Sequence, residues 1–151
     1  MKYKTIDELG HFRFEKAIVC ELTQMNGYFH GIFDAVTILP ENTTNRDLFE
    51  MGANDLHFTI EDGKISSFIK EGYRRYDANE VLVEEIPDED VVPEDYNDIL
   101  KSLREEEVIS FVQEGDDYIL SVDTMYHVYC IHITGVHDKE EWDRYINIRE
   151  N

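Results

Sequence analysis

Residues 12 to 39 constrain the fold more than any other part of this chain, because two apolar-alternating runs flank a single tight-turn dipeptide. From Phe12 to Gln24 the residues Phe12, Phe14, Ile18, Cys20 and Leu22 fall on one side, while Arg13, Glu15, Glu21 and Thr23 fall on the other. A period of two is the mark of a half-buried strand. Asn26-Gly27 follows, the pair that most readily supplies positive φ at a two-residue turn, and Tyr28 to Leu39 resumes a β-branched and aromatic run. A β-hairpin is predicted here, and an antiparallel sheet is the expected framework.

The rest of the chain offers further strands and a few helical segments. Leu56–Ile60 and Ile65–Gly72 flank Glu61-Asp62-Gly63-Lys64 and predict a second hairpin, with Gly63 in a left-handed position. Val81–Glu85 reads as a short edge strand, and Pro87 to Pro93 as irregular chain. Val108–Gln113, Tyr118–Val122 and Tyr126–Thr134 are spaced as a three-stranded meander. Two or three helices are expected, from three candidate segments. One runs from Pro93, with Tyr96, Ile99, Leu100 and Leu103 on one stripe; it should stop near Glu105, Glu106 and Glu107, whose charges oppose the negative end of the helix dipole. A short one spans Arg46 to Met51, capped from Asn42-Thr43-Thr44-Asn45 and closed by Gly52. A third is capped by Asp138, with Glu141 completing a capping box and Trp142, Tyr145 and Ile146 as its apolar face. These elements predict one α+β domain over residues 1–151. Its curved, mostly antiparallel sheet of about seven strands would curl around its helix or close partly into a barrel, and pack with two or three helices.

Charge limits the partners. The chain carries 34 Asp and Glu against 14 Lys and Arg, a net charge of −20, yet 42% of its residues are hydrophobic and 12% aromatic, too many for a disordered chain. Such a charge repels phosphate backbones and anionic membrane surfaces, so direct binding to nucleic acid or lipid is disfavoured and a basic partner is favoured. No apolar run approaches the roughly 20 residues needed to cross a bilayer, and Met1 to Gly10 holds no apolar block of a signal peptide, so a cytoplasmic location is expected. Residues 80 to 107 hold 12 acidic and 2 basic residues, half of the net charge. Within that stretch Glu84, Glu85, Asp88, Glu89, Asp90, Glu94, Asp95 and Asp98 are the candidate contacts to a basic protein surface, in the sharpest version as a nucleic-acid mimic or inhibitor. Lys70, Arg74 and Arg75, interleaved with Tyr73 and Tyr76, form the one cationic cluster. They are expected to pair with the neighbouring acids rather than to bind phosphate.

Chemistry-bearing residues are weighed against plainer roles. His127, Cys130, His132 and His137 lie within eleven residues, but on an extended strand His127 faces away from Cys130 and His132, so no metal site is expected. Cys20 and Cys130 sit in apolar runs without a framing nucleophile motif, and acidic surroundings raise a thiol pKa, so neither a disulfide nor a reactive thiolate is expected. No cofactor motif is present. The alternative to an interaction protein is a small-molecule-binding or catalytic barrel whose cavity is lined by Tyr28, His30, Asp34, Tyr126 and His132, with His30 and Asp34 as a titratable pair on one strand face.

Overall fold

A computed structural model describes residues 1–46 and 48–148. In chain order it contains β1 (Tyr3–Ile6), β2 (Phe12–Arg13), β3 (Ile18–Met25), β4 (Tyr28–Asp34), β5 (Val36–Ile38), β6 (Met51–Ala53), β7 (Leu56–Glu61), β8 (Lys64–Lys70), β9 (Tyr73–Tyr76), β10 (Leu82–Ile86), β11 (Glu89–Asp90), α1 (Tyr96–Ser102), β12 (Glu107–Glu114), β13 (Asp117–Asp123), β14 (Val128–Thr134) and β15 (Asp138–Trp142). Strand accounts for 54% of the chain and helix for 9%. The expectation of an α+β fold with two or three helices and about seven strands is therefore overturned: the fold is mostly β, with one short α-helix, and its main sheet is not closed into a barrel.

That sheet has ten strands in the order β1-β15-β7-β4-β3-β12-β13-β14-β8-β11. Asn26-Gly27 makes the predicted β3–β4 turn, with Gly27 at φ 91° and Met25 opposite Tyr28. The meander β12-β13-β14 also forms as expected. Leu56–Glu61 and Lys64–Lys70 are both strands, but they do not pair with each other: β7 lies between β15 and β4, while β8 lies between β14 and β11. Only Asp62-Gly63 joins them, so the sheet must curl until these distant positions meet. Asp62, at φ 52°, takes the left-handed conformation expected of Gly63. Gly63 is required for space instead, because a Cβ there would stand 2.7 Å from the Ile60 carbonyl oxygen and 2.8 Å from the Phe29 nitrogen. Gln24 holds the two turns together, its Nε2 donating to Tyr28 O and Gly63 O while its Oε1 accepts from Ile65 N.

The predicted strand from Phe12 to Gln24 is interrupted, since Lys16 at φ 71° separates β2 from β3. A bulge at Cys20 then restores the phase, so that Val19 and Leu22 both face inward while Cys20 does not. Phe14, Phe33, Phe58 and Phe111 converge inside, with ring centroids 4.8 to 6.0 Å apart, and Tyr118 packs on Phe58. A small sheet β2-β5-β6 covers this core beside Trp142, which packs on Tyr3, Phe12 and Tyr145.

Both remaining helix expectations fail for identifiable reasons. Asn45 does not open a helix; its buried amide donates to the carbonyls of Ile38, Leu39 and Phe49, stapling a loop, and Met51 and Gly52 lie in β6. Asp47 of that segment lies outside the described residues. Asp138, expected to cap a helix, begins β15, which pairs with β7 on one side and β1 on the other. The sheet offers a hydrogen-bond partner to each side of this strand, and that outweighs a local capping signal. The helix at Pro93 does form, as a 3₁₀ turn over Pro93–Asp95 leading into α1, with Leu100 and Leu103 buried, and it ends before Glu105.

Candidate functional site

Three places on the molecule carry unusual chemistry: an exposed ribbon with an acidic ledge, a pair of histidines on the outer sheet face, and a buried pair of carboxyls.

The ribbon is formed by β9 and β10, which pair only with each other and stand apart from the main sheet. None of its residues is buried, and Tyr73, Tyr76, Leu82 and Ile86 are each between 43% and 53% exposed. Two-stranded ribbons are marginal alone, so cross-strand pairs matter here. Arg75 Nε donates to Glu84 Oε2 at 3.1 Å and Arg74 Nε to Glu85 Oε1 at 3.0 Å. The expected pairing of these arginines with neighbouring acids is thus present. The Tyr73 hydroxyl donates to Glu84 Oε1 at 3.2 Å, and that bond, with the carboxylate charge, holds the phenol above its ordinary pKa. At the foot of the ribbon Asp88 accepts from the Gly72 nitrogen at 2.7 Å. Glycine is needed there, as a Cβ would stand 1.9 Å from the Ile86 carbonyl oxygen.

Of the eight acids expected to contact a partner, Glu84, Glu85 and Asp88 are therefore committed to the ribbon's own structure. The other five follow directly along the chain: Glu89 and Asp90 in β11 on the edge of the main sheet, Glu94 and Asp95 in the 3₁₀ turn, and Asp98 in the first turn of α1. All five are exposed, and none has a side-chain partner among the described residues. They make up an acidic ledge that follows the ribbon along the chain, with Glu89 opposite Lys70 in the β8–β11 register.

The residues expected to line a cavity are divided between separate places. Tyr28, His30 and Asp34 lie on the face of β4 opposite to buried Phe29 and Phe33, hence outside the core. His132 lies on the outer face of β14, with three strands between it and β4, and Tyr126 sits in the β13–β14 turn, 80% exposed. The core side of these strands is filled by the phenylalanine cluster. Asp34 does not partner His30: its Oδ1 accepts from the Asp55 nitrogen at 2.8 Å, pinning the turn before β7. His30 instead meets a residue not singled out in the sequence. His57 Nδ1 lies 3.2 Å from His30 Nε2, and His57 Nε2 lies 3.4 Å from Asp55 Oδ1. Burial first, and the adjacent His57 second, hold the His30 pKa below its ordinary value. A cleft of about 790 Å³ opens near this face between β3 and α1, lined by Cys20, Glu21, Ile32, Asp55, Lys101 and Arg104 among others.

The remaining chemical candidates stand apart. His127 packs edge-on to Tyr129, and His137 Nδ1 lies 2.8 Å from Asp7 Oδ2. Both cysteines are free. Burial, followed by the charge of Asp34, pushes the Cys20 thiol up to about 11, and burial also raises Cys130, which argues against a thiolate at either. No group of three or more His, Cys, Asp or Glu among the described residues is arranged to hold a metal ion. No helix among them is long and apolar enough to cross a membrane.

The buried carboxyls were hidden in the sequence by their helical reading. Asp138, Glu140 and Trp142 point into the core from alternate positions of β15, all at most 1% exposed. Thr5 Oγ1 donates to Glu140 Oε1 at 2.7 Å and the Tyr118 hydroxyl to Asp138 Oδ2 at 2.7 Å. Asp138 Oδ1 and Glu140 Oε2 find no other donor, and one proton carried by Glu140 toward Asp138 satisfies the pair. Burial above all, then the bond to Asp138 and its charge, pushes the Glu140 carboxyl up to about 10.

The chain matches no protein-family model, no curated protein and no solved structure.

Proposed function

We propose that this is a non-enzymatic interaction protein that docks the β9–β10 ribbon and the adjoining acidic ledge onto a basic protein surface. The observation that carries the reading is the contrast at one place on the molecule. The acids within the ribbon are neutralised by Arg74 and Arg75 or spent on its foot, while Glu89, Asp90, Glu94, Asp95 and Asp98 immediately beyond it are exposed and unpaired. An exposed aromatic and aliphatic strip bordered by unpaired charge suits an interface with an apolar centre and a charged rim. The charge steers encounter, and the apolar strip slows dissociation.

The test is affinity capture with the whole protein beside a variant in which the five ledge acids are changed to their amides. A basic protein should be held by the wild type at low salt, released at high salt, and absent from the variant. Equal capture by both proteins, or capture indifferent to salt, overturns the electrostatic docking. The nucleic-acid-mimic form makes one further demand, that duplex DNA compete for the captured partner.

A further inference from the structure

We infer that His30 and His57 form a binding site for a divalent first-row transition ion, with zinc as the reference ion, on the outer face of the sheet at β4 and β7. The two rings come from adjacent antiparallel strands at diagonal positions: His30 is opposite Thr59, and Ile32 is opposite His57. The 3.2 Å between His57 Nδ1 and His30 Nε2 is close to the separation of two ligands on one ion. Two imidazole nitrogens bound tetrahedrally at about 2.0–2.1 Å from zinc lie about 3.3–3.4 Å apart.

The second nitrogen of His57 strengthens the assignment. Its Nε2 is 3.4 Å from Asp55 Oδ1, an ion-pair distance that sets a carboxylate behind the ring, as carboxylates stand behind metal-bound imidazoles. Asp55 is itself held, its backbone N–H donating to Asp34 Oδ1. Without metal, one of these two nitrogens donates to the other; with metal, the donor ring's proton moves to its far nitrogen, so a tautomer shift frees the second ligand without net proton release. The charges acting on His30 are Glu21 on the neighbouring β3 and, on β15 beyond β7, Glu141, opposed by Lys139, which is tied to Glu141 at 3.3 Å. The local balance is negative, and a protein of net charge −20 concentrates cations around it. Water completes the coordination, so the site is an open one, able to present the ion to a further ligand.

The experiment is isothermal titration of the chelator-stripped full chain with zinc chloride, with magnesium chloride as the comparison. One equivalent of zinc should bind saturably, and magnesium, which prefers oxygen ligands, should give no such isotherm. His57→Gln should weaken zinc binding at least tenfold, and Asp55→Asn about 10–100-fold, while His127→Gln/His132→Gln should leave it unchanged. In the wild type the ring proton resonances of His30 and His57 should shift together on zinc addition, a reading that does not depend on any variant's folding. Absence of saturable binding overturns the assignment. So does wild-type affinity in His57→Gln, loss in the His127 and His132 control, or zinc shifts confined to other histidines.

Discussion

The aromatic interior beneath β4, β7 and β15 and the ribbon of β9 and β10 are both antiparallel β-structure, yet opposite forces hold them. In the interior, Phe33, Phe58, Ile60, Leu56 and Trp142 show no exposed surface, and even the polar residues Asp138 and Glu140 are enclosed. Stability there comes from apolar area removed from water and from close packing. In the ribbon nothing is buried, and the strands are kept together by backbone pairing, two exposed ion pairs and one tyrosine bond. Exposed ion pairs are worth roughly 0.2–1 kcal/mol each, against roughly 3–5 kcal/mol for one buried phenylalanine ring. The same secondary structure thus serves as scaffold in one region and as a presented surface in the other.

The sharpest break of that comparison is Phe58→Ala. Phe58 packs on Phe14, Phe111 and Tyr118, and its loss should cost about 3–5 kcal/mol in urea unfolding. A cost below about 1 kcal/mol would show that the interior is not the close-packed core described.

A second experiment uses pH within the interior. Burial beside Asp138 holds the Glu140 proton in the fold well above the ordinary carboxyl range, whereas the unfolded chain releases it near the ordinary value of about 4.3. Between those values the folded state binds the extra proton. This contribution to stability is therefore complete below the unfolded pKa and is lost as pH rises toward the folded one, on the order of 1 kcal/mol per pH unit. Unfolding at pH 5.5 and 8.5 should show wild type losing more stability than Glu140→Gln, which cannot ionise. Parallel losses in the two proteins would mean that Glu140 is ionised in the fold.

The ribbon should respond far less. Arg74→Ala/Tyr76→Ala should change unfolding stability by less than about 1 kcal/mol, and amides of Tyr73–Tyr76 and Leu82–Ile86 should exchange before those of β4 and β7. Exchange protection equal to that of β4 would mean that the ribbon is part of the cooperative core.

The smallest effect expected is that of salt. Between 0.01 and 0.1 M the Debye length falls from about 30 to about 10 Å, which screens repulsion across the ledge, so the melting temperature should rise slightly. The ion pairs of Arg74 and Arg75 with Glu85 and Glu84 are weakened by the same screening. A net fall in melting temperature would show that the attractive contacts, those of Arg74 and Arg75 together with Arg13–Glu50 and Lys139–Glu141, outweigh the repulsion among the acids.

Much of this fold is local in origin, and that part was legible. Asn26-Gly27, the β12-β13-β14 meander and the Pro93 helix each depend on residues a few positions apart. Four misreadings share another cause. The expected β7–β8 hairpin has the right strands and turn, but curling of the sheet assigns their edges to β4, β15, β14 and β11. The expected helix at Asp138 has a sound capping box, but β1 and β7 flank it with open edges. The helix expected over Arg46 to Met51 lost its cap when Asn45 turned inward to carbonyls on both sides of its loop. Tyr3–Ile6 is too short to reveal a period and became a strand only by pairing with β15. At the candidate sites the acids were found because their number is itself the signal. His57 was missed because its meeting with His30 joins residues 27 positions apart.

What the amino-acid sequence determined by itself is the β character of most segments, the strong acidity with its concentration in residues 80 to 107, and the pairing of Arg74 and Arg75 with nearby carboxylates. These follow from side-chain period, composition and short-range spacing, all of which survive any change of distant contacts. Tertiary structure alone decided which strands are neighbours, that the sheet stays open, that Glu140 is enclosed beside Asp138, and that His30 meets His57 rather than Asp34. Each of these depends on strand order and register. A one-residue shift or a different neighbour exchanges core face for solvent face, and the energies that select among such arrangements are spread over the whole sheet.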